Sequence, residues 1–141
     1  MAPPKTWVTG PDVGLTLYSD DAAAGRVSLM GIIDTGASCI CVDSRVAKRL
    51  GLVSSDRKPV QMADGRVQTS TVYTARMSIP ALGFDDYVQV NAVDMEFPTD
   101  RVLLGRSFLK DYIVNYDGPR ERFEFHETSR GSEFYESDHD E

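Results

Sequence analysis

The sequence predicts a small, mainly β domain, closed into a barrel-like form and carrying one short helix. Three observations lead there. Short apolar runs alternate with turn residues about every ten positions along the 141-residue chain, the rhythm of a compact all-β domain. Asp64-Gly65 stands between two alternating arms, a strong hairpin signal. Only residues 43–51 carry both a start and a stop signal for a helix. The length allows one domain, since two halves of this chain would each fall below the usual size of roughly 100–150 residues.

Taken in order, Pro3, Pro4, Gly10 and Pro11 make residues 1–12 a flexible N-terminal arm. Leu15 and Leu17 alternate with polar neighbours, as in a half-buried strand. Residues 20–25 read as a turn, and the apolar stretch 27–33 as a buried strand too short for a helix. Asp34-Thr35-Gly36-Ala37-Ser38 interrupts that strand before Ile40 and Val42 resume it. Asp43 or Ser44 caps the helix that Gly51 ends. Residues 60–79 alternate around a break at 63–66, and Tyr87, Val88, Val90 and Val93 mark a further strand. Val102-Leu103-Leu104-Gly105 is a short buried strand, followed by one or two helical turns over 106–111. Strands at 112–116 and 122–125 flank the turn Asp117-Gly118-Pro119-Arg120.

Charge and cysteine content narrow the function. The net charge is −7, with 15 Lys and Arg against 22 Asp and Glu, which argues against nucleic acid as a partner because phosphate contacts need clustered bases. Residues 127–141 hold six acids against Arg130, so this stretch carries −5 and reads as an acidic, solvated tail. No apolar run approaches the ~20 residues that cross a bilayer, and the first residues show no apolar leader core. Cys39 and Cys41 are only two apart, where a bridge is strained. With two separated histidines, His126 and His139, they fall short of a structural zinc set. The expectation is a protein of a reducing compartment, cytoplasmic, with no metal and no cofactor.

Asp34 is the informative residue. It follows Leu29-Met30-Gly31-Ile32-Ile33 and precedes Ile40-Cys41-Val42, with no Lys or Arg within seven positions. A carboxylate in such surroundings loses hydration unless hydrogen bonds replace it. Thr35 and Gly36 offer a hydroxyl and an unhindered amide for that purpose. A turn-forming Asp is the bland alternative.

The stretch Ile32-Ile33-Asp34-Thr35-Gly36-Ala37-Ser38, with Val102-Leu103-Leu104-Gly105-Arg106 about seventy residues later, resembles the retropepsin-type aspartic proteases. That class includes retroviral and retrotransposon proteases and related bacterial and cellular domains. The resemblance covers residues 13–126, which it marks as the protease domain between the arm and the tail. It implies a β-barrel-like fold whose catalytic loop, Asp34, Thr35 and Gly36, is crossed by the strand of Leu103. It also implies a hairpin flap over 59–79 with its tip near Asp64-Gly65. Ala37, Met62, Ala63, Asp64, Gly65, Val67 and Leu103 are the residues it suggests for substrate binding, although such side chains are often core. One departure is Ser38, where retroviral members often carry an acid that helps hold the later arginine; this leaves Arg106 without an assigned partner. Residues 121–126 stand either as a strand interleaved with a partner or as one arm of a local hairpin.

The chemistry of that class needs two carboxylates sharing one proton, one activating water and the other polarising the peptide carbonyl. Only one Asp-Thr-Gly occurs here, and Asp64 and Asp117 lie in polar turns. A two-fold homodimer pairing Asp34 with its symmetry mate is therefore expected, acting on an extended polypeptide. Rival chemistries have less support. Ser38 and Ser107 lack a Gly-x-Ser-x-Gly frame, and Cys39 or Cys41 with His126 shows no assembled base. A catalytically silent dimerisation or peptide-binding module on the same fold is the remaining alternative.

Overall fold

A computed structural model describes residues 5–9, 12–19, 25–95 and 100–127. Ten strands and two short helices follow one another: β1 (Lys5–Thr9), β2 (Asp12–Tyr18), β3 (Arg26–Ile33), β4 (Ile40–Asp43), α1 (Ser44–Leu50), β5 (Ser54–Gln61), β6 (Val67–Ile79), β7 (Phe84–Val93), β8 (Arg101–Leu104), α2 (Arg106–Leu109), β9 (Tyr112–Asp117) and β10 (Arg122–Glu127). A 3-10 turn, Pro80–Leu82, joins β6 to β7.

The large sheet runs β2-β3-β8-β4-β7-β6-β5, and β2 also pairs with β6. That extra pairing, Thr16↔Ser78 to Tyr18↔Arg76, closes six strands into a barrel and leaves β5 outside as an appended edge. Closure removes the free edges that β2 and β6 would otherwise present. Strand β8 is inserted between β3, to which it is parallel, and β4, to which it is antiparallel. The loop joining β3 to β4 must therefore pass over the end of β8, and this places Asp34.

Alternation fills the barrel. Val13, Leu15 and Leu17 of β2 are buried while Asp12 and Gly14 face out. Val27 and Leu29, Ala75, Met77 and Ile79, and Val102 and Leu104 do the same from their strands. Each fully buried Leu or Ile contributes about 1.5–3 kcal/mol. Helix α1 forms where expected: the Asp43 carboxylate accepts from the Arg45 amide, and Gly51 ends the helix with a left-handed φ of 64°. Its buried stripe is Val46, Ala47 and Leu50.

The helical turn expected over 106–111 is α2, so the described residues hold two short helices where the sequence predicts one. The arm expected over 1–12 also needs correction. Lys5–Thr9 is strand β1, paired antiparallel to β10 from Lys5↔His126 to Thr9↔Arg122, and β2 already begins at Asp12. The prolines and glycine that suggested a loose arm flank this strand and do not interrupt it. Strand β10 pairs with β9 on its other side, so 121–126 is one arm of a local hairpin within a three-stranded sheet. Phe125 of β10 is 1% exposed and carries this sheet onto the barrel through Tyr112, Phe108 and Phe84, whose rings meet at 5.1–5.4 Å. The turn expected at 20–25 falls mostly outside the described residues, as do tail residues 128–141.

Candidate active site

The loop of residues 34–39 leaves β3 and returns as β4, and the end of β8 with the start of α2 holds it from beneath. The Asp34 amide donates to the Leu104 carbonyl at 3.1 Å. The Arg106 amide donates to the Ala37 carbonyl at 2.9 Å, and the Ser107 amide to the Ser38 carbonyl at 3.0 Å. These two amides lie in the first turn of α2, where a helix has no internal acceptor for them, and the loop carbonyls satisfy them. The Arg106 guanidinium donates to the Thr35 carbonyl at 2.8 Å, which supplies the partner that Ser38 left unassigned.

Gly105 makes this approach possible. A Cβ there would stand 2.3 Å from the Cys39 carbonyl oxygen and 2.7 Å from that of Ala37. No side chain can yield to relieve such contacts, because both atoms are backbone.

Asp34 itself is half-buried at the top of the loop. Its Oδ1 accepts from the Gly36 amide at 2.9 Å, and its carbonyl accepts from the Ala37 amide at 3.2 Å. Of the two groups the sequence offered, it is the Gly36 amide that reaches the carboxylate. Thr35 and Gly36 are exposed. A Cβ on Gly36 would meet only the Asp34 Oδ1, at 3.2 Å, so within one protomer this glycine spares the carboxylate rather than a backbone crossing.

The suggested substrate-binding residues fall into two groups. Ala37 lies on the loop, and Leu103 is half-buried on β8, in register with Ile32 and Cys41. Met62, Ala63, Asp64, Gly65 and Val67 form the far end of the β5–β6 hairpin. There Met62 and Arg66 pair through their backbones at 2.7 Å, Gly65 takes a φ of 88°, and Asp64 holds Arg66 at 2.6 Å. None of the apolar members, Ala37, Met62, Ala63, Val67 or Leu103, lies in the buried core; Val67 is 67% exposed. The bonds described above that hold the Asp34 loop come from β8 and α2.

Two residues beside the loop carry unusual chemistry. The Cys39 and Cys41 sulfurs are 3.3 Å apart and unbridged, with Cys39 half-buried and Cys41 buried. The Cys41 hydrogen bond, a second from Ser38 and the Lys58 charge outweigh burial and bring the Cys39 thiol down to about 6. Cys41 shifts the opposite way, raised by its bond to Cys39, by burial and by the Asp34 charge. Farther off, buried Asp43 receives both the Arg45 guanidinium and the Met95 amide, the latter at 3.1 Å, and these hold its carboxyl below the usual range. Nothing in the sequence signalled the effect of the Lys58 charge or the Met95 bond, which depend on strand register. Among the described residues no group of three or more His, Cys, Asp and Glu could hold a metal ion. No helix among them is long and apolar enough to cross a membrane.

A closed β barrel that presents Asp-Thr-Gly on a loop braced by a later Leu-Leu-Gly-Arg strand is the framework of an aspartic protease. Comparison with known proteins agrees. The family described as "gag-polyprotein putative aspartyl protease" matches residues 22–111, and the chain belongs to it, within the retropepsin-like aspartic proteases. No curated protein matches the chain. Among solved structures, a retropepsin-like aspartic protease from Rickettsia conorii is similar at 16% identity and a TM-score of 0.54, over 88% of this chain and 91% of that one. The aspartic proteinase from Irpex lacteus is similar at 14% identity and a TM-score of 0.58, over 92% of this chain but only 48% of that one. The foamy viral protease-reverse transcriptase, solved with double-stranded DNA, is similar at 18% identity and a TM-score of 0.50, over 73% of this chain and 16% of that protein. At these identities the likeness is one of fold.

Proposed function

We propose that the protein is an aspartic endopeptidase that acts as a homodimer, with one Asp34 from each protomer forming the catalytic pair. The observation that carries the reading is the placement of Asp34: a half-buried carboxylate on an exposed loop whose backbone is pinned from below at four points. Such pinning holds a reacting group in position while leaving it open to a partner. A single chain holds half the site. Its match to about half the length of the Irpex lacteus enzyme fits a unit that must be used twice.

In the dimer the two carboxylates meet across the axis and share one proton, since two adjacent charges repel. The ionised one takes a proton from water, and the protonated one donates to the peptide carbonyl oxygen. Water attacks without a covalent intermediate. Gly36 and Thr35, exposed beside the carboxylate, lie where a partner loop approaches. The β5–β6 hairpin serves as the flap: Met62, Ala63, Asp64, Gly65 and Val67 cover the substrate, while Ala37 and Leu103 line the floor. The substrate lies extended, bonded through its backbone. Unbridged thiols 3.3 Å apart suit a reducing compartment such as the cytoplasm. The domain boundaries proposed are 13–126 for the enzyme, with β1 docked onto it and 127–141 as an acidic tail.

The test is cleavage of a peptide library by the wild type and by Asp34→Asn, with sedimentation run in parallel. The expected result is cleavage by a dimeric wild type and none by the variant. Turnover by Asp34→Asn would end the assignment, and peptides bound but never cut by wild type would make the domain a binding module.

A further inference from the structure

We infer that Cys39 and Cys41 form a peroxide-reactive dithiol site, in which Cys39 is the attacking sulfur and Cys41 the resolving one. The geometry carries this. The two sulfurs lie 3.3 Å apart on the limb of the loop that leads from Asp34 into β4. Cys39 sits before the first residue of β4 and is half-exposed, whereas Cys41 is buried within the strand. The outer sulfur is thus reachable by a small oxidant and the inner one is shielded from it. The hydrogen bond with Cys41, that from Ser38 and the Lys58 charge all favour the thiolate at Cys39, the form that attacks peroxide. The hydrogen bond with Cys39, burial and the charges of Cys39 and Asp34 all favour the neutral thiol at Cys41.

The steps balance. The Cys39 thiolate attacks one oxygen of hydrogen peroxide, the O–O bond breaks, and sulfenic acid and hydroxide form. The Cys41 sulfur then attacks the Cys39 sulfur. The S–O bond breaks, and its hydroxyl leaves as water with the proton that Cys41 loses. Sulfur is oxidised by two electrons and peroxide is reduced. The product is a bridge across a single intervening residue. That strain, which disqualifies it as a structural bond, makes it easily reduced and therefore reversible.

Closure must draw the sulfurs together by more than 1 Å, from 3.3 Å to about 2.05 Å. The Cys39 backbone that would move rests directly on Gly105, beside the Ala37 and Ser38 carbonyls that accept from Arg106 and Ser107. Oxidation is therefore coupled to the backbone that holds Asp34. This coupling to activity rests on the function proposed above; the dithiol chemistry does not.

The experiment treats the full chain with hydrogen peroxide in slight excess and reads the peptide containing both cysteines by mass spectrometry. The expected product has lost two hydrogens, stays monomeric under denaturing conditions, and returns to the starting mass with dithiothreitol. In Cys41→Ala, dimedone traps a sulfenic acid on Cys39. In Cys39→Ala, Cys41 remains a thiol. Hydrogen exchange at the Arg106 and Ser107 amides rises by about fivefold on bridging, the loss of roughly one hydrogen bond. A disulfide between chains, oxidation of Cys41 in preference to Cys39, or no reaction where a free thiol control reacts would each overturn the site. Peptide cleavage is measured on the same samples. A bridge that forms reversibly in a chain with no protease activity refutes the function and leaves the dithiol site standing. A bridge that forms without altering a measurable cleavage rate refutes the coupling.

Discussion

Replacing Gly105 with alanine tests whether backbone contact beneath the Asp34 loop holds the site. The new methyl would stand 2.3 Å from the Cys39 carbonyl oxygen, 2.7 Å from the Ala37 carbonyl oxygen and 2.8 Å from the Cys39 nitrogen, where ordinary contact begins near 3.4 Å. The loop must therefore rise by about 1 Å, a distance that stretches the 2.9 Å and 3.0 Å bonds from Arg106 and Ser107 beyond useful length. Each lost bond costs about 1 kcal/mol, and overpacking adds roughly 1–3 kcal/mol, so the expected loss is roughly 3–5 kcal/mol. For a domain stable by about 5–15 kcal/mol this is a large fraction. Urea denaturation at one fixed protein concentration is the assay. With a slope of about 2 kcal/mol per molar, the midpoint falls by roughly 2 M. Gly14→Ala on β2, where a Cβ meets nothing within 4 Å, is the control and should stay within about 0.5 kcal/mol of wild type. A Gly105→Ala protein as stable as this control would show that the loop does not depend on that contact.

Gly36→Ala, whose Cβ meets the Asp34 Oδ1 at 3.2 Å within the protomer, should lower kcat by at least about tenfold through displacement of that carboxylate; full activity would argue that Asp34 is not held by the loop. Asp43→Ala removes a buried cap and the acceptor of the Arg45 and Met95 bonds, and should cost about 2–4 kcal/mol at pH 7. Because the folded state holds the Asp43 carboxyl below its ordinary range, its stabilisation is complete above that range and disappears as pH falls through the depressed value. The gap between wild type and variant therefore narrows in acid, and a gap constant with pH would contradict the ionic origin. Specific activity should fall on dilution as dimers separate, and a rate per chain independent of concentration from a proven monomer would refute the shared site. Activity should be bell-shaped in pH, lost when both carboxylates of the pair are ionised and when both are protonated; a rate that climbs steadily toward alkali would exclude that proton inventory.

What the sequence revealed depended on how local the signal was. The α1 cap at Asp43 and stop at Gly51, the Asp64-Gly65 turn and the alternation of β2 and β6 are written within a few residues and appear as read. Asp34 stood out because its neighbours made a carboxylate costly. Strand β1 was missed because it has no alternating apolar pattern of its own; it exists through pairing with β10, more than a hundred residues away. Asp43 showed its cap locally but not its bond to Met95, which needs β4 and β7 side by side. Likewise Lys58 approaches Cys39 only once the β5–β6 hairpin is placed.

The Ser38 departure shows how the site tolerates change. An acid at that position would hold Arg106 through a side-chain pair. Here the guanidinium turns to the Thr35 carbonyl, and the Arg106 and Ser107 amides take the carbonyls of Ala37 and Ser38. Every acceptor in this brace is backbone, so it survives any side chain at residue 38 that leaves the main chain in place. The brace also constrains Gly105, where a side chain would push that main chain away. Along this brace, the residue identity that matters most is the one with no side chain.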